Sequence, residues 1–305
     1  MAAPFSVTPE KQASIPGFFY KQITFKLVEV RGVGLQGKTA IVTGSNAGIG
    51  FETSRQLLDL GLSKLILAVR DEGKGQAAAA KLSLGRSIAE GTIEDSIVAF
   101  AERSKTLERL DIVILNAGIA PATLVINERT GHNEGIQVNY LSTALLAILL
   151  LPVVDRITFV SSEVAGWTSF TQKNNVPLLA AVDKPSKINM LDQIFVSKLL
   201  GRFFIVALAK IVPRSVALIN SASPATVHDS DFNREHDKTW GGAIAKMLKK
   251  LCANTASVGA RIITDAAVNH GEETHGKKVS EQLWKETMEE LSFAKVEDIL
   301  AGIGK

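Results

Sequence analysis

The chain has 305 residues, 46% of them apolar and 21% charged, with 24 glycines and 9 prolines. That is an ordinary globular composition, and it excludes disordered, collagen-like and disulfide-scaffold chains. One cysteine, Cys252, excludes any internal disulfide, and a net charge of +3, spread evenly, gives no electrostatic footprint for nucleic acid. A chain of this length buries roughly 75% of the surface its unfolded form exposes, so its core needs no metal or disulfide. The opening residues MAAPFSVTPEKQ lack the charged, apolar and cleavage segments of a leader. With no disulfide, this predicts a reducing, cytoplasmic compartment. Only two tyrosines occur, Tyr20 and Tyr140, so any chemistry that requires a tyrosine has two candidates.

Residues 1–36 show no clear period and carry the aromatics Phe18, Phe19, Tyr20 and Phe25. They read as an N-terminal arm that packs on the body or touches a membrane surface. From residue 37 to 305 a single domain is expected. Apolar runs at 38–44, 64–69, 110–116, 156–161 and 215–220 read as strands buried on both faces. Helical patterns lie between them: one from Gly48 stopped by Gly61, then about 93–103, 134–151 and 190–212. The fold class is therefore α/β, a doubly wound parallel sheet of Rossmann type. The run from Tyr140 to Val154 is apolar but too short to span a membrane, and reads as a buried helix. After Asn220 the pattern is mainly helical, at 240–251, 257–269 and 280–291, and the region 221–305 is expected to contribute to a substrate pocket. The basic run 246–250 reads as the wet face of a helix.

TGSNAGIG, residues 43–50, follows the first strand and opens a helix. Gly44 permits a tight turn, Gly48 lets the backbone approach a pyrophosphate, and Gly50 lets the helix pack on the strand. Ser45, Asn46 and Ile49 complete the turn, whose helix N-terminus offers unpaired N–H groups to phosphates. About 20 residues on, AVRDEGKG puts Arg70 at the second strand's end, which favours the 2′-phosphate of NADP; Asp71, directly after it, is the alternative partner for a ribose 2′-hydroxyl. His270 and His275 in HGEETHG lack companion ligands at metal spacing, and no metal is expected. His228 and Asp229 read as parts of a loop rather than of a hydrolase triad.

Several motifs, in order, resemble the short-chain dehydrogenase/reductase family, over about residues 38–227. They are TGxxxGIG at Gly44, Gly48 and Gly50; LNAG with Asn116; Asn139 in IQVNYLS; VSS with Ser162 in the reactive register; and Lys198 in VSKLLG. Their spread is most similar to the retinol-dehydrogenase-like branch and its fungal relatives in secondary metabolism. The resemblance implies an NADP(H)-dependent oxidoreductase acting on the carbonyl or alcohol of a small apolar metabolite. Ser162 would hydrogen-bond the substrate oxygen, Lys198 would hold the nicotinamide ribose, and Asn139 would join a water relay. Glu90 falls where the family contacts adenine, and Val227 lies in SPATV, the segment after the sixth strand. Family dimers pair the helices corresponding to 93–151 and 190–212, so a homo-oligomer is implied. Trp167, Phe170, Phe232 and Trp240 fall in segments expected around the substrate.

The chain departs from the family at the acid/base. Four residues before Lys198, where the family has tyrosine, stands Ile194, and a hydrocarbon neither donates nor accepts a proton. This leaves two readings, an oxidoreductase whose proton comes from a water held by Ser162 and Lys198, or a catalytically impaired relative kept as a cofactor-binding or dimer-forming module. Tyr140 reads as a packing residue and Tyr20 lies in the arm. Further departures are a poorly formed third strand in RSIAEGTIED, almost no connection between the helix ending near Val154 and the strand at Arg156, Ala225 in place of a glycine, and no visible seventh strand. Divergence, or segments lost from an ancestral gene, would each account for these.

Overall fold

The computed structural model describes residues 15–24, 27–83, 91–92, 96–235, 253–275 and 291–303. Its centre is a parallel sheet of six strands in the order β3-β2-β1-β4-β5-β6. The strands are β1 (Thr39–Thr43), β2 (Lys64–Val69), β3 (Gly91–Thr92), β4 (Leu110–Leu115), β5 (Val154–Val160) and β6 (Leu218–Ala222). The order reverses direction between β1 and β4, the crevice where doubly wound sheets take ligands.

Strand residues alternate between two cores, as a period of two requires. Ile41, Val113, Leu115 and Ile157 join one cluster, and Ala40, Val42, Ile112 and Ile114 the other. Helices α2 (Gly48–Asp59) and α3 (Glu72–Leu82) contribute Leu57, Leu58 and Leu82 to the second cluster. On the opposite face lie α4 (Ile97–Lys105) and α5, which consists of Glu134–Ile136, a π-helical turn Gln137–Ser142 and Thr143–Leu150. Helix α7 (Met190–Ile211) covers the same face, preceded by the short α6 (Leu178–Asp183). The apolar stretch Glu134–Val153 is long enough to cross a membrane by length and composition, yet Ala144 to Leu151 are all buried in this core.

The third strand is two residues long, paired with the end of β2. Strand β5 starts at Val154, two residues before the expected position, because the 3₁₀ turn Leu151–Val153, with Pro152, replaces a loop. Strand β6 starts at Leu218, three residues later than expected: Val216 and Ala217 donate their amides to the Pro213 carbonyl and are spent in a turn. Within the C-terminal region, α8 (Ala256–Val268) packs on α2, with Gln56 donating to the Ser257 carbonyl and accepting from Thr264. This helix, expected near the pocket, instead builds the outer layer of the fold. The terminal α9 (Val296–Ile303) buries Val296 and Leu300 in the cluster that holds α5. The expected helix 240–251, the helix expected at 280–291 apart from Leu291, the basic run 246–250, Trp240 and Glu90 lie outside the described residues.

Candidate active site

The glycine turn connects β1 to α2 with Gly44 and Gly48 at φ +63° and +55°, the left-handed region that disfavours side chains. A Cβ on Gly50 would stand 2.5 Å from the Gly44 carbonyl oxygen, so only glycine lets α2 approach the strand this closely. Asn116 braces the turn: its amide nitrogen donates to the carbonyls of Thr43 (2.9 Å) and Gly44 (3.3 Å). Ser45 is wholly buried and its hydroxyl has no partner among the described residues, although Asn46 beside it is half-buried. Buried hydroxyls normally find partners, so this orphan marks a place prepared for a polar group. Ile49, by contrast, turns into the second core. The positive-φ glycines, the orphan hydroxyl and the helix N-terminus together fit a dinucleotide pyrophosphate.

At the end of β2, Arg70 is exposed, while Asp71 caps α3 by accepting from the Lys74 amide at 2.9 Å. Across the crevice, Asn139 sits in the π-helical turn of α5. Its Oδ1 accepts from the Ile119 amide at 2.8 Å, and its Nδ2 donates to the Ile119 carbonyl (2.9 Å) and to Ser197 Oγ (3.0 Å). Lys198 lies on α7 next to Ser197, its Nζ 3.5 Å from the Val160 carbonyl. Burial pushes its ammonium down from 10.5 to about 8. Ser162 follows β5 and starts the 3₁₀ turn Glu163–Trp167, half-buried. A cavity of about 20 Å³ is lined by Asn139, Tyr140, Ser161 and Lys198 among others, room for one water. The fold brings Asn139 and Lys198 to one cavity; the serine that lines it is Ser161, and Ser162, the serine expected to act, is the next residue along the chain and is not part of the lining.

Ile194, one turn before Lys198, is buried at 7% exposure. Neither tyrosine replaces it as a placed acid: Tyr20 is 65% exposed on the arm, and Tyr140 is buried edge-on to Phe204, although it borders the Lys198 cavity.

The segment after β6 was the least legible part of the site. Ala225, standing where a glycine was expected, adopts φ +62°, so the backbone keeps a conformation that glycine would take without strain. Val227 is buried and bridges to Asn254, and Asp229 caps α8 through the Ala256 amide at 2.6 Å, which removes it from any triad. The chain then crosses the crevice as a strap. Ser230 lies against Gly48, within 3.2 Å of where a Cβ would be, and the Phe232 ring sits 5.4 Å from Lys198 Nζ and close to Gly118. Glu235 accepts from the Ala122 amide at 3.1 Å. Phe232 falls in a segment expected around the substrate, and its ring covers the site lysine. Phe170 departs from that expectation, packing beside Phe203 against the α5–α7 core. His275 is fixed between Ile219 and the Ala209 carbonyl, and His270 pairs with Asp265.

The family model for the short chain dehydrogenase matches residues 38–173. The chain is 38% identical to the short-chain dehydrogenase fogG of Aspergillus ruber, with all of both chains covered. The chain belongs to the short-chain dehydrogenase family. The short chain dehydrogenase virL of Hypocrea virens is 35% identical over 92% of this chain and 93% of its own. Among solved structures, an uncharacterised protein of Mycobacterium paratuberculosis superposes with a TM-score of 0.60 at 21% identity, covering 88% of this chain and 95% of that one. A short chain dehydrogenase of Shigella flexneri, solved with NADP, superposes at 0.55 and 17% identity, covering 81% and 97%. The fogG alignment runs over 349 positions against 305 residues here, so this short-chain dehydrogenase lacks internal positions that its relative has.

Proposed function

We propose that the chain is an NADP(H)-dependent oxidoreductase acting on the carbonyl or alcohol of a small apolar metabolite, within secondary metabolism. The observation that carries this reading is the single cavity shared by Asn139, Ser161 and Lys198 at the strand ends, beside a glycine turn that holds an orphaned buried hydroxyl. NADP over NAD is supported by the split at the β2 end, where Asp71 is committed to capping α3 and Arg70 remains exposed. The cofactor, when bound, supplies or accepts the hydride. Gly44, Ser45 and Gly48 would receive its phosphates and Arg70 its 2′-phosphate.

The protein's own residues handle the proton and the substrate oxygen. Ser162 donates a hydrogen bond to that oxygen, and Lys198, with its ammonium held near neutral acidity, polarises a water in the cavity as proton donor. Asn139, locked by three hydrogen bonds, orients that relay. Ile194 contributes no proton, so the wild-type rate is low.

The alternative, a catalytically impaired module that only binds cofactor or pairs with a second copy, is favoured by the Phe232 ring over Lys198. Pairing through α5, one of the helices that family dimers use, would have to accommodate α9, which packs against the same cluster. The two readings separate in calorimetric NADPH binding followed by single-turnover nicotinamide absorbance on wild type and Ile194→Tyr. The oxidoreductase reading expects NADPH binding by both proteins, slow turnover by wild type, and a gain of about 10²- to 10⁴-fold in Ile194→Tyr. Binding without turnover in either protein, across a panel of carbonyl compounds, supports the module. Absence of NADPH binding overturns the oxidoreductase reading and the cofactor-binding form of the module, and leaves pairing with a second copy as its function.

A further inference from the structure

The N-terminal arm contains a helix, α1 (Ile15–Thr24), whose described contacts fall on two segments of the site. Phe18 is 6% exposed and stands edge-on to Trp167, with ring centroids 5.1 Å apart. Trp167 in turn stands edge-on to Phe195 at 6.2 Å. This row of three rings runs from the arm, through the turn that begins at Ser162, to the residue beside Ile194 on α7. One helical turn further along α1, Gln22 lies on the same face as Phe18. Its amide is buried and bonded at both ends: the Thr226 N–H donates to Gln22 Oε1 at 2.9 Å, and Gln22 Nε2 donates to the Thr226 carbonyl at 3.3 Å. Thr226 is the root of the strap, directly after the left-handed Ala225. Tyr20, between Phe18 and Gln22 in sequence, points outward. The arm's exit is also fixed, since Arg261 donates to the Leu27 carbonyl at 2.9 Å and pairs with Glu29 at 2.7 Å.

Burying a glutamine amide is costly unless both ends are satisfied, and here the backbone of a single strap residue satisfies both. An arm needed only as padding would place apolar side chains there. The geometry joins two walls that otherwise belong to separate loops, the aromatic wall after Ser162 and the strap after β6. We propose that helix α1 is a specificity element of the substrate site: by fixing Trp167 and Thr226 relative to each other, it sets the width of the entrance and hence the bulk of the carbonyl compound admitted. Phe18 and Gln22 are positioning residues in this scheme, acting through Trp167 and Thr226. The inference deepens the oxidoreductase reading and rests on it for the identity of the substrate.

The test uses the full chain in the Ile194→Tyr background, with benzaldehyde and the bulkier 2-naphthaldehyde as paired probes and NADPH as reductant. Phe18→Ala and Gln22→Ala are expected to raise the kcat/KM ratio of bulky over small aldehyde by about tenfold, the size of effect that modest changes in an apolar pocket produce. The change should lie in KM, with kcat for benzaldehyde little altered although the thermal midpoint falls because both side chains are buried, and Phe18→Leu should restore most of the original ratio. An unchanged ratio, or a fall in thermal stability without a change in ratio, overturns the proposal. If neither aldehyde turns over, the carbonyl panel decides the oxidoreductase reading separately, and backbone hydrogen exchange on the otherwise wild-type chain tests the role given to α1. Gln22→Ala should then speed exchange in both 163–170 and 226–232, whereas faster exchange confined to the arm overturns the role given to α1.

Discussion

Removing the Phe232 ring uncovers Lys198. The ring lies 5.4 Å from the ammonium and close to Gly118, on the side of the crevice that the nicotinamide end of a cofactor would need. A cation over an aromatic face contributes about 1 to 2 kcal/mol when partly desolvated. On the proposed function, ring and cofactor would compete for one place and that energy would be subtracted from cofactor binding, so Phe232→Ala should tighten NADPH binding by about 5- to 30-fold. The effect carries a pH signature, because burial lowers the Lys198 ammonium to about 8 and the ring loses its cation as pH rises through that value. The ratio of wild-type to variant Kd should therefore shrink above it. Lys198 also leaves a mark on stability. Between about 8 and its ordinary 10.5 the unfolded chain binds the proton that the folded chain has released, so this group makes the fold more stable as pH rises across that window. Calorimetric titration with NADPH, at one pH well below that value and one well above, measures the ratio. Unchanged or weaker binding by the variant at the lower pH would refute the reasoning.

Ile194→Tyr, beyond its gain in rate, inserts a larger ring at a position only 7% exposed and should cost about 1 to 3 kcal/mol in urea unfolding. Asp111 is buried and accepts from Lys38, Arg109 and the Thr39 amide, so Asp111→Ala should cost about 2 kcal/mol, kept modest because both cations are partly exposed. Burial pushes that carboxyl up, but the hydrogen bonds from Arg109, Lys38 and Thr39 outweigh it and hold it below the usual range. Its contribution is thus present above the ordinary carboxylate value and lost as pH falls through the lowered one, and acid unfolding of the variant should show a correspondingly weaker pH dependence. Ala225→Gly should raise the thermal midpoint by relieving the left-handed backbone, a gain of about 0.5 to 1 kcal/mol after the entropy of glycine is deducted. A lowered midpoint would mean that the Ala225 methyl packs better than its backbone angle suggests.

The five long strands could be read from sequence because each is a short Val, Ile and Leu run bounded by breakers, and burial on both faces removes the ambiguity of alternation. The ends of β5 and β6 were displaced because Pro152 and Pro213 organise turns that a hydropathy run does not register. The glycine turn was legible from its place between a strand and a helix, whereas Asn116, Asn139 and Lys198 were singled out by their resemblance to the family's motifs. What stayed hidden were contacts between distant segments: Phe232 on Lys198, Ser230 on Gly48, and Gln22 on Thr226 across 204 residues of sequence. No periodicity encodes such pairs, which arise only when the sheet brings its loops to one end. The arm was unreadable for a related reason, as a ten-residue helix gains its stability from what it packs on and leaves little trace of its own.

The fixing of His275 has a consequence for solubility. Among the described residues β6 has a strand neighbour on one side only, β5, and on the other side its Ile219 amide donates to His275 Nδ1 at 3.2 Å. That bond requires an unprotonated Nδ1, with the Nε2 hydrogen directed at the Ala209 carbonyl. An imidazole thus blunts a sheet margin that would otherwise template pairing with another molecule.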